Sequence, residues 1–363
     1  MNGNVWGRAI VLFSGGLDSM LTAAILKRQN IDLEALCVLT PYHGNHESAR
    51  LAAEQLGIRF CARWVRQDYF AMLRTPRHGR GAAVNPCTDC HAYMARMAHD
   101  RMIETHADFV ASGEVLGQRP CSQKRLHLDI VMKRSGLGER LLRPLSAKLL
   151  PVTLPEREGM VDRDLLYEFS GRRRDQLLKL AESYGILEPQ RGEPDLVRRR
   201  LTPSSGCKLT IRAFAPRFFD LFEHLPETEM DGWMCGPLSF GRHFRLTSQT
   251  KAIVSRNERE GDLLERYFHH PSRRNVAMLA PLETGFTGPT VLVTGMITEE
   301  VIRMAGGLLL RYARETRPQI IRFYADYPVM TTAEKVDKRM GGPVSPELRR
   351  IVPVPEVADL NPL

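Results

Sequence analysis

Long apolar runs are missing from this 363-residue chain. No stretch approaches the ~18 consecutive apolar residues that a membrane-spanning helix needs. The opening Met1-Asn2-Gly3-Asn4-Val5-Trp6 has no basic segment followed by an apolar core, so no secretory signal is read there and the expected compartment is the cytoplasm. No internal repeat and no low-complexity block is visible. Cysteines are few, seven in all, too sparse for a disulfide framework in a chain of this length, so a cluster among them points to metal or redox chemistry. A surplus of acid is absent as well: 51 Lys and Arg stand against 42 Asp and Glu, a net charge of +9. That balance suits a polyanionic partner such as nucleic acid, and equally a basic surface kept for solubility.

What is present is ordinary globular composition, 26% charged and 43% hydrophobic, over a length that accommodates two domains of about 100 to 200 residues each. Short apolar runs at 9–13, 33–39, 58–65 and 109–112 alternate with helical periods at 17–29, 46–56 and 91–105. Strand and helix in alternation predict an α/β doubly wound parallel sheet that binds ligands at the carboxyl ends of its strands. A further helix is read over 172–184, and 188–205, rich in Pro, Gly and charge, reads as a loop. The character changes near Pro226. Beyond it an α+β pattern is expected, with a hairpin of 243–246 and 251–255, strands at 290–294 and 320–324 and a helix over 299–314. The predicted domains are therefore 1–225, 226–340 and an extended Pro-rich tail, 341–363.

Ser14-Gly15-Gly16-Leu17-Asp18-Ser19 follows the apolar run Ala9 to Phe13 directly. Two glycines between a buried-type strand and a helix let backbone approach a phosphate group, and the first-turn amides of the helix point at it with the favourable end of the dipole. Neither the Gly-Lys-Ser/Thr ending of a Walker loop nor the three spaced glycines of a dinucleotide fold is there. Asp18 suits either a metal ion or its waters, or the free amides of the helix start.

Asn85-Pro86-Cys87-Thr88-Asp89-Cys90 is read as a loop just before the helix 91–105, and Cys207 lies far downstream. Thiols one turn apart at a helix N-terminus are expected to have lowered pKa values and to be able to share a metal. Spacing alone leaves a dithiol redox pair equally open.

The six-residue loop resembles the PP-loop of ATP pyrophosphatases, which split ATP into AMP and pyrophosphate to adenylate a substrate oxygen. Together with Asn85 to His91, Ala111-Ser112-Gly113-Glu114-Val115-Leu116-Gly117-Gln118-Arg119-Pro120 and Arg143-Pro144-Leu145-Ser146-Ala147-Lys148, it is similar to the tRNA thiolation branch of that family, nearest to a cysteine-rich 4-thiouridine synthase-like form. The resemblance implies an ATP-dependent tRNA sulfurtransferase that uses ATP and Mg2+. It implies nucleotide contacts at Ser14, Gly15, Gly16, Leu17, Asp18, Ser19, Gly113, Arg143 and Lys148, and catalytic roles for Asp18, Cys87 and Cys207. It further implies a [4Fe-4S] cluster on Cys87, Cys90 and Cys207, or, as in other members, a cysteine persulfide without a cluster. tRNA and a sulfide or persulfide donor such as a cysteine desulfurase system are the implied partners, and a homodimer is open. The chain departs from the branch in starting at its PP-loop, in Ser204-Ser205 before Gly206, and in Cys121 where methionine is expected.

Gly241-Arg242-His243-Phe244-Arg245, Lys251 to Asn257, Thr287-Gly288-Pro289-Thr290 and Arg311 to Arg314 are similar to the NFACT-type RNA-binding domain. The implied contacts are basic side chains on phosphate and aromatics stacked on bases. The structural alternative for the hairpin is an aromatic facing the core and arginines facing water. Glu114 is a candidate for orienting a reacting group or for capping a helix, while His91, His78 and His127 are read as structural.

Overall fold

The computed structural model describes residues 6–43, 46–187, 206–226, 229–281, 287–313, 320–325 and 347–350. The loop read over 188–205, residues 1–5, Arg314 and all of the tail except 347–350 lie outside the described residues. The chain divides into two compact units, Met1–Arg212 and Ala213–Leu363.

In the first unit, β1 (Gly7–Leu12), β2 (Ile31–Leu39), β3 (Arg59–Trp64), β4 (Phe109–Ser112) and β5 (Leu141–Leu142) form one sheet in the order β3-β2-β1-β4-β5. Every pairing in it is parallel. Helices α1 (Leu17–Lys27), α2 (His46–Leu56), α3 (Gln67–Arg74), α4 (Cys87–Thr105), α5 (Arg125–Arg134), α6 (Leu154–Arg157) and α7 (Asp175–Ser183) complete the α/β unit. A strand covered on both faces must be apolar throughout, and Ala9, Ile10 and Val11 are buried without a break. Leu17, Met20, Leu21, Ala24 and Ile25 of α1 pack with Val11, Phe13, Leu33 and Ala35 in the same core. From β1 the chain runs outward to β2 and β3 and then crosses back past β1 to β4 and β5, so the sheet has a switch point between β1 and β4. A crevice opens there at the carboxyl ends of the strands.

One boundary differs in a way that matters for the site. The helix expected from His91 begins at Cys87, with Pro86 as its N-cap, so both cysteines belong to its first turn. Proline has no N–H to lose at a helix start, and the Cys90 amide closes the turn on the Pro86 carbonyl at 2.9 Å.

The second unit holds a six-stranded sheet, order β11-β10-β8-β9-β7-β6, antiparallel at every pairing. Its strands are β6 (Arg242–Thr247), β7 (Thr250–Val254), β8 (Val276–Pro281), β9 (Val291–Gly295), β10 (Ile320–Ala325) and β11 (Glu347–Arg350). The expected hairpin is β6–β7, and Glu347–Arg350, within the stretch read as a tail, is an edge strand. Alternation sorts the side chains by face. Ala252, Val254, Ala277, Leu279, Val291 and Val293 pack under the helix Glu299–Arg311, while Ile253, Val276, Met278 and Leu292 pack under the helix Glu258–Phe268. No described helix is long and apolar enough to cross a membrane.

Candidate functional site

At the end of β1 the chain turns into α1 through Gly15, whose φ of +72° is the left-handed region that glycine tolerates. A Cβ there would also lie 2.9 Å from the Ala49 Cα. The Ser19 hydroxyl donates to the Gly16 carbonyl at 2.9 Å and accepts from the Ser14 amide at 3.3 Å, and the Ser14 hydroxyl accepts from the Gly16 amide at 3.3 Å. These short-range bonds hold the loop in shape. Gly113, at the tip of β4, meets it from the other side: a Cβ on Gly113 would stand 2.7 Å from the backbone C and O of Asp18.

The loop opens on a cavity of about 480 Å³ at the switch point. Its wall takes Leu12 and Phe13 at the end of β1, Leu36 to Val38 of β2, Ser112 to Glu114 at the end of β4, the first turn of α4 and the turn 119–123. Cys87, Cys90 and Cys207 all line it, joined by Cys121. Cys207 is brought there by its neighbours, since the Lys208 amide donates to the Tyr42 carbonyl at 3.1 Å and the Thr210 hydroxyl to the Cys207 carbonyl at 2.7 Å. Cys87 accepts from the Asn85 side-chain amide at 3.1 Å, and the buried Tyr69 hydroxyl lies 3.8 Å from the Cys90 sulfur.

Burial overturns the lowered thiol pKa values expected at the helix start. It pushes Cys90 up to about 12, with Cys207 adding to the rise, and Cys207 up to about 11. Cys87 is also raised by burial, against the pull of the Asn85 amide. Desolvation outweighs half a charge at a helix terminus when the group loses its water. The same cause raises Asp18, opposed by Arg174, a hydrogen bond from Gln118 and Arg119. One buried oxygen of Asp18, Oδ1, has no hydrogen-bond partner. A lone carboxylate oxygen beside a phosphate-type loop fits a hard cation such as Mg2+, which typically takes one or two carboxylates plus substrate phosphates. The three thiols suit an iron–sulfur cluster in kind, but not as placed. Among the described residues no three His, Cys, Asp or Glu side chains converge to hold a metal ion.

Glu114 is the hub of the cavity floor. Its carboxylate lies 2.8 Å from His91 Nδ1 and accepts from Arg143 Nε at 2.8 Å and the Ser112 hydroxyl at 3.1 Å. Burial works to raise its pKa, but Arg143 and His91 together prevail and hold it at about 2. Arg143 therefore faces Glu114 and the Leu128 carbonyl, behind the cavity wall. Lys148 is elsewhere: it donates to the Asp164 carbonyl at 2.9 Å and lines a separate depression with Arg28 and Tyr184. Thus the structure gathers the loop, Gly113 and the three cysteines and leaves Arg143 and Lys148 out of the cavity. Arg119, which the motif Ala111 to Pro120 offers as a phosphate contact, lines the cavity, and His43, Tyr69, Ser122 and Gln123 join it without having been singled out as site residues. His43 stands just past the carboxyl end of β2, the position where open α/β sheets bind ligands.

In the second unit, the stacking role implied for Phe244 and a phosphate contact by His243 are corrected. Both side chains are fully buried, because they point into the sheet's packed interior. Arg245 forks onto Asp220 at 2.9 and 2.7 Å, and Lys251 shares that carboxylate at 2.7 Å. Arg242 is half-buried, its guanidinium 4.6 Å from the Tyr312 ring centre.

Residues 241–337 match a family model described as NFACT protein RNA binding domain. Over 111 residues, 28% of this chain, the sequence is 34% identical to the tRNA-specific 2-thiouridylase MnmA of Desulfosudis oleivorans. The match spans 30% of that protein's length. A crystal structure of a 4-thiouridine synthetase–RNA complex with bound ATP aligns at 19% identity over 53% of each chain, TM-score 0.33. A predicted subunit of tRNA methyltransferase from Methanocaldococcus jannaschii aligns at 16% identity over 42% of this chain and 76% of that one, TM-score 0.29. Scores this low carry no weight for function. The chain thus combines a stretch similar to a tRNA thiouridylase with a segment that matches an RNA-binding domain family.

Proposed function

We propose that this chain is an ATP-dependent tRNA sulfurtransferase, which adenylates a uridine carbonyl oxygen and replaces that oxygen with sulfur. The observation that carries the reading is one cavity shared by a glycine-rich loop at a helix N-terminus and three cysteine thiols. The thiouridylase similarity and the RNA-binding match support it from outside the site.

The amides of Gly15, Gly16, Leu17 and Ser19 and the dipole of α1 receive the β- and γ-phosphates, where charge develops as pyrophosphate leaves. Asp18 holds Mg2+ or its waters, and Ser14 and Ser19 keep the amides aimed. The uridine oxygen attacks the α-phosphorus and pyrophosphate departs, leaving AMP as the new leaving group on the base. A donor protein supplies sulfur as a persulfide on one cavity thiol, Cys87 or Cys207. Its outer sulfur attacks the activated carbon and AMP leaves. The other thiol attacks the first cysteine's sulfur, closing a disulfide and releasing thiouridine, and a dithiol reductant resets the pair. A [4Fe-4S] cluster on Cys87, Cys90 and Cys207 would supply an open iron for sulfide. It would require the three thiols to draw together and lose their protons. Arg242 and neighbouring cations of the second unit hold tRNA phosphate.

Replacing Asp18 with Ala is expected to lower tRNA-dependent AMP formation by on the order of 100-fold. Cys87→Ala and Cys207→Ala keep AMP formation and lose thiouridine in nucleoside analysis. AMP release unchanged by the Asp18 substitution, or thiouridine from both cysteine variants, contradicts the proposal. Iron and sulfide assays of anaerobically purified protein separate the cluster form from the persulfide form.

A further inference from the structure

Among the described residues that line the cavity, the carboxylates are Asp18 and Glu114, and only one Arg or Lys is present, Arg119. Glu114 is paired with Arg143 and hydrogen-bonded to His91, whereas Asp18 keeps an unpartnered oxygen. A nucleotide phosphate brought beside Asp18 therefore meets like charge, and a cation must offset it. Mg2+ at Asp18 would meet part of that need and Arg174 acts on Asp18 without lining the cavity, which leaves Arg119 as the side-chain cation in the wall. It lines the same cavity as Ser14, Asp18 and Ser19 of the loop and as the three thiols, and its charge reaches Asp18, His43, Cys87 and Cys207.

The backbone around it is fixed. The Arg119 carbonyl accepts from the Ser122 and Gln123 amides at 3.3 and 2.9 Å, and the Gly117 amide donates to the Gln123 carbonyl at 2.7 Å. The side chain, by contrast, is exposed and makes no ion pair among the described residues. A guanidinium on a rigid turn, unpaired and facing a cavity, matches the fork geometry of two phosphate oxygens.

We infer that Arg119 binds the α-phosphate of the adenylyl group, bridging the ATP half of the cavity and the sulfur half. This rests on the adenylation reading and adds to it a catalytic residue with one role in two steps. Arg119 steadies the charge on the α-phosphoryl oxygens as pyrophosphate leaves, and it holds the same phosphate as the AMP leaving group when sulfur attacks.

The test compares binding of AMP and of adenosine by calorimetry to the full chain, wild type, Arg119→Ala and Arg119→Lys. The wild type is expected to prefer AMP by at least about 10-fold, as charge-assisted phosphate contacts do. Arg119→Ala loses that preference and Arg119→Lys keeps part of it, with unchanged melting temperature. In turnover, Arg119→Ala lowers kcat for tRNA-dependent AMP formation by on the order of 100-fold with KM for tRNA unchanged. A preference for AMP that survives in Arg119→Ala, or none in the wild type, overturns the inference. So does a variant whose only change is a raised KM for tRNA, which would make Arg119 an RNA-backbone contact. Wild-type protein that prefers AMP through Arg119 and yet makes no thiouridine would sink the proposed reaction and leave this contact standing.

Discussion

Glu114 remains a carboxylate inside the protein because Arg143 and His91 reach it, and its folded pKa of about 2 lies below the ordinary 4.5. A depressed carboxylate pKa contributes stability that is present above the unfolded value and is lost as pH falls from about 4.5 through about 2. The shift corresponds to on the order of 3 kcal/mol. Glu114→Gln is therefore expected to lower the denaturant midpoint clearly at pH 7, with the gap to the wild type closing as pH falls through that window. A gap that stays constant with pH contradicts the assignment. At this scale the sequence was only partly legible. Ser14 to Ser19 announced a glycine turn from strand into helix, since its shape is set by consecutive residues. The thiols did not announce their raised pKa values, because these come from burial, which is set by segments distant in sequence that close around Cys90 and Cys207.

Elements deliver these residues, and a close fit joins the tip of β4 to the first turn of α1. Gly113→Ala would force a Cβ to within 2.7 Å of Asp18 backbone atoms. Backbone cannot yield as a side chain does, so a loss of about 1 to 3 kcal/mol in stability is expected. Nucleotide affinity should fall with it, as the loop is pushed off its shape. Calorimetric ATP binding and a melting curve check this, and wild-type values for both would show that the approach is not tight. The parallel strands and α1, α2 and α4 were legible because long apolar runs and 3.6-residue periods leave little choice. Others were not. In α5, Leu126, Leu128, Ile130 and Met132 alternate like a strand, yet only Leu128 and Val131 are buried. β5 is two residues long and exists only through its pairing with β4.

For the whole molecule, the composition change near Pro226 predicts a boundary there, whereas the compact units divide after Arg212. The helix Ala215–His224 joins the second unit because Asp220 neutralises Arg245 and Lys251, and no local pattern announces a pairing across 25 residues or more. The net charge of +9 and the RNA-binding match predict phosphate-driven binding. Affinity for tRNA should drop at least about 10-fold between roughly 50 and 200 mM salt. A salt-independent affinity would mean that the basic surface serves solubility alone. The most direct measurement is a single reaction of the full chain with tRNA, ATP and a persulfide donor, read by nucleoside mass spectrometry and an AMP assay together. Thiolation by this cavity predicts one thiouridine for each AMP formed and neither product without ATP. AMP accumulating with no sulfur in the tRNA, or sulfur entering the tRNA without ATP, would contradict it.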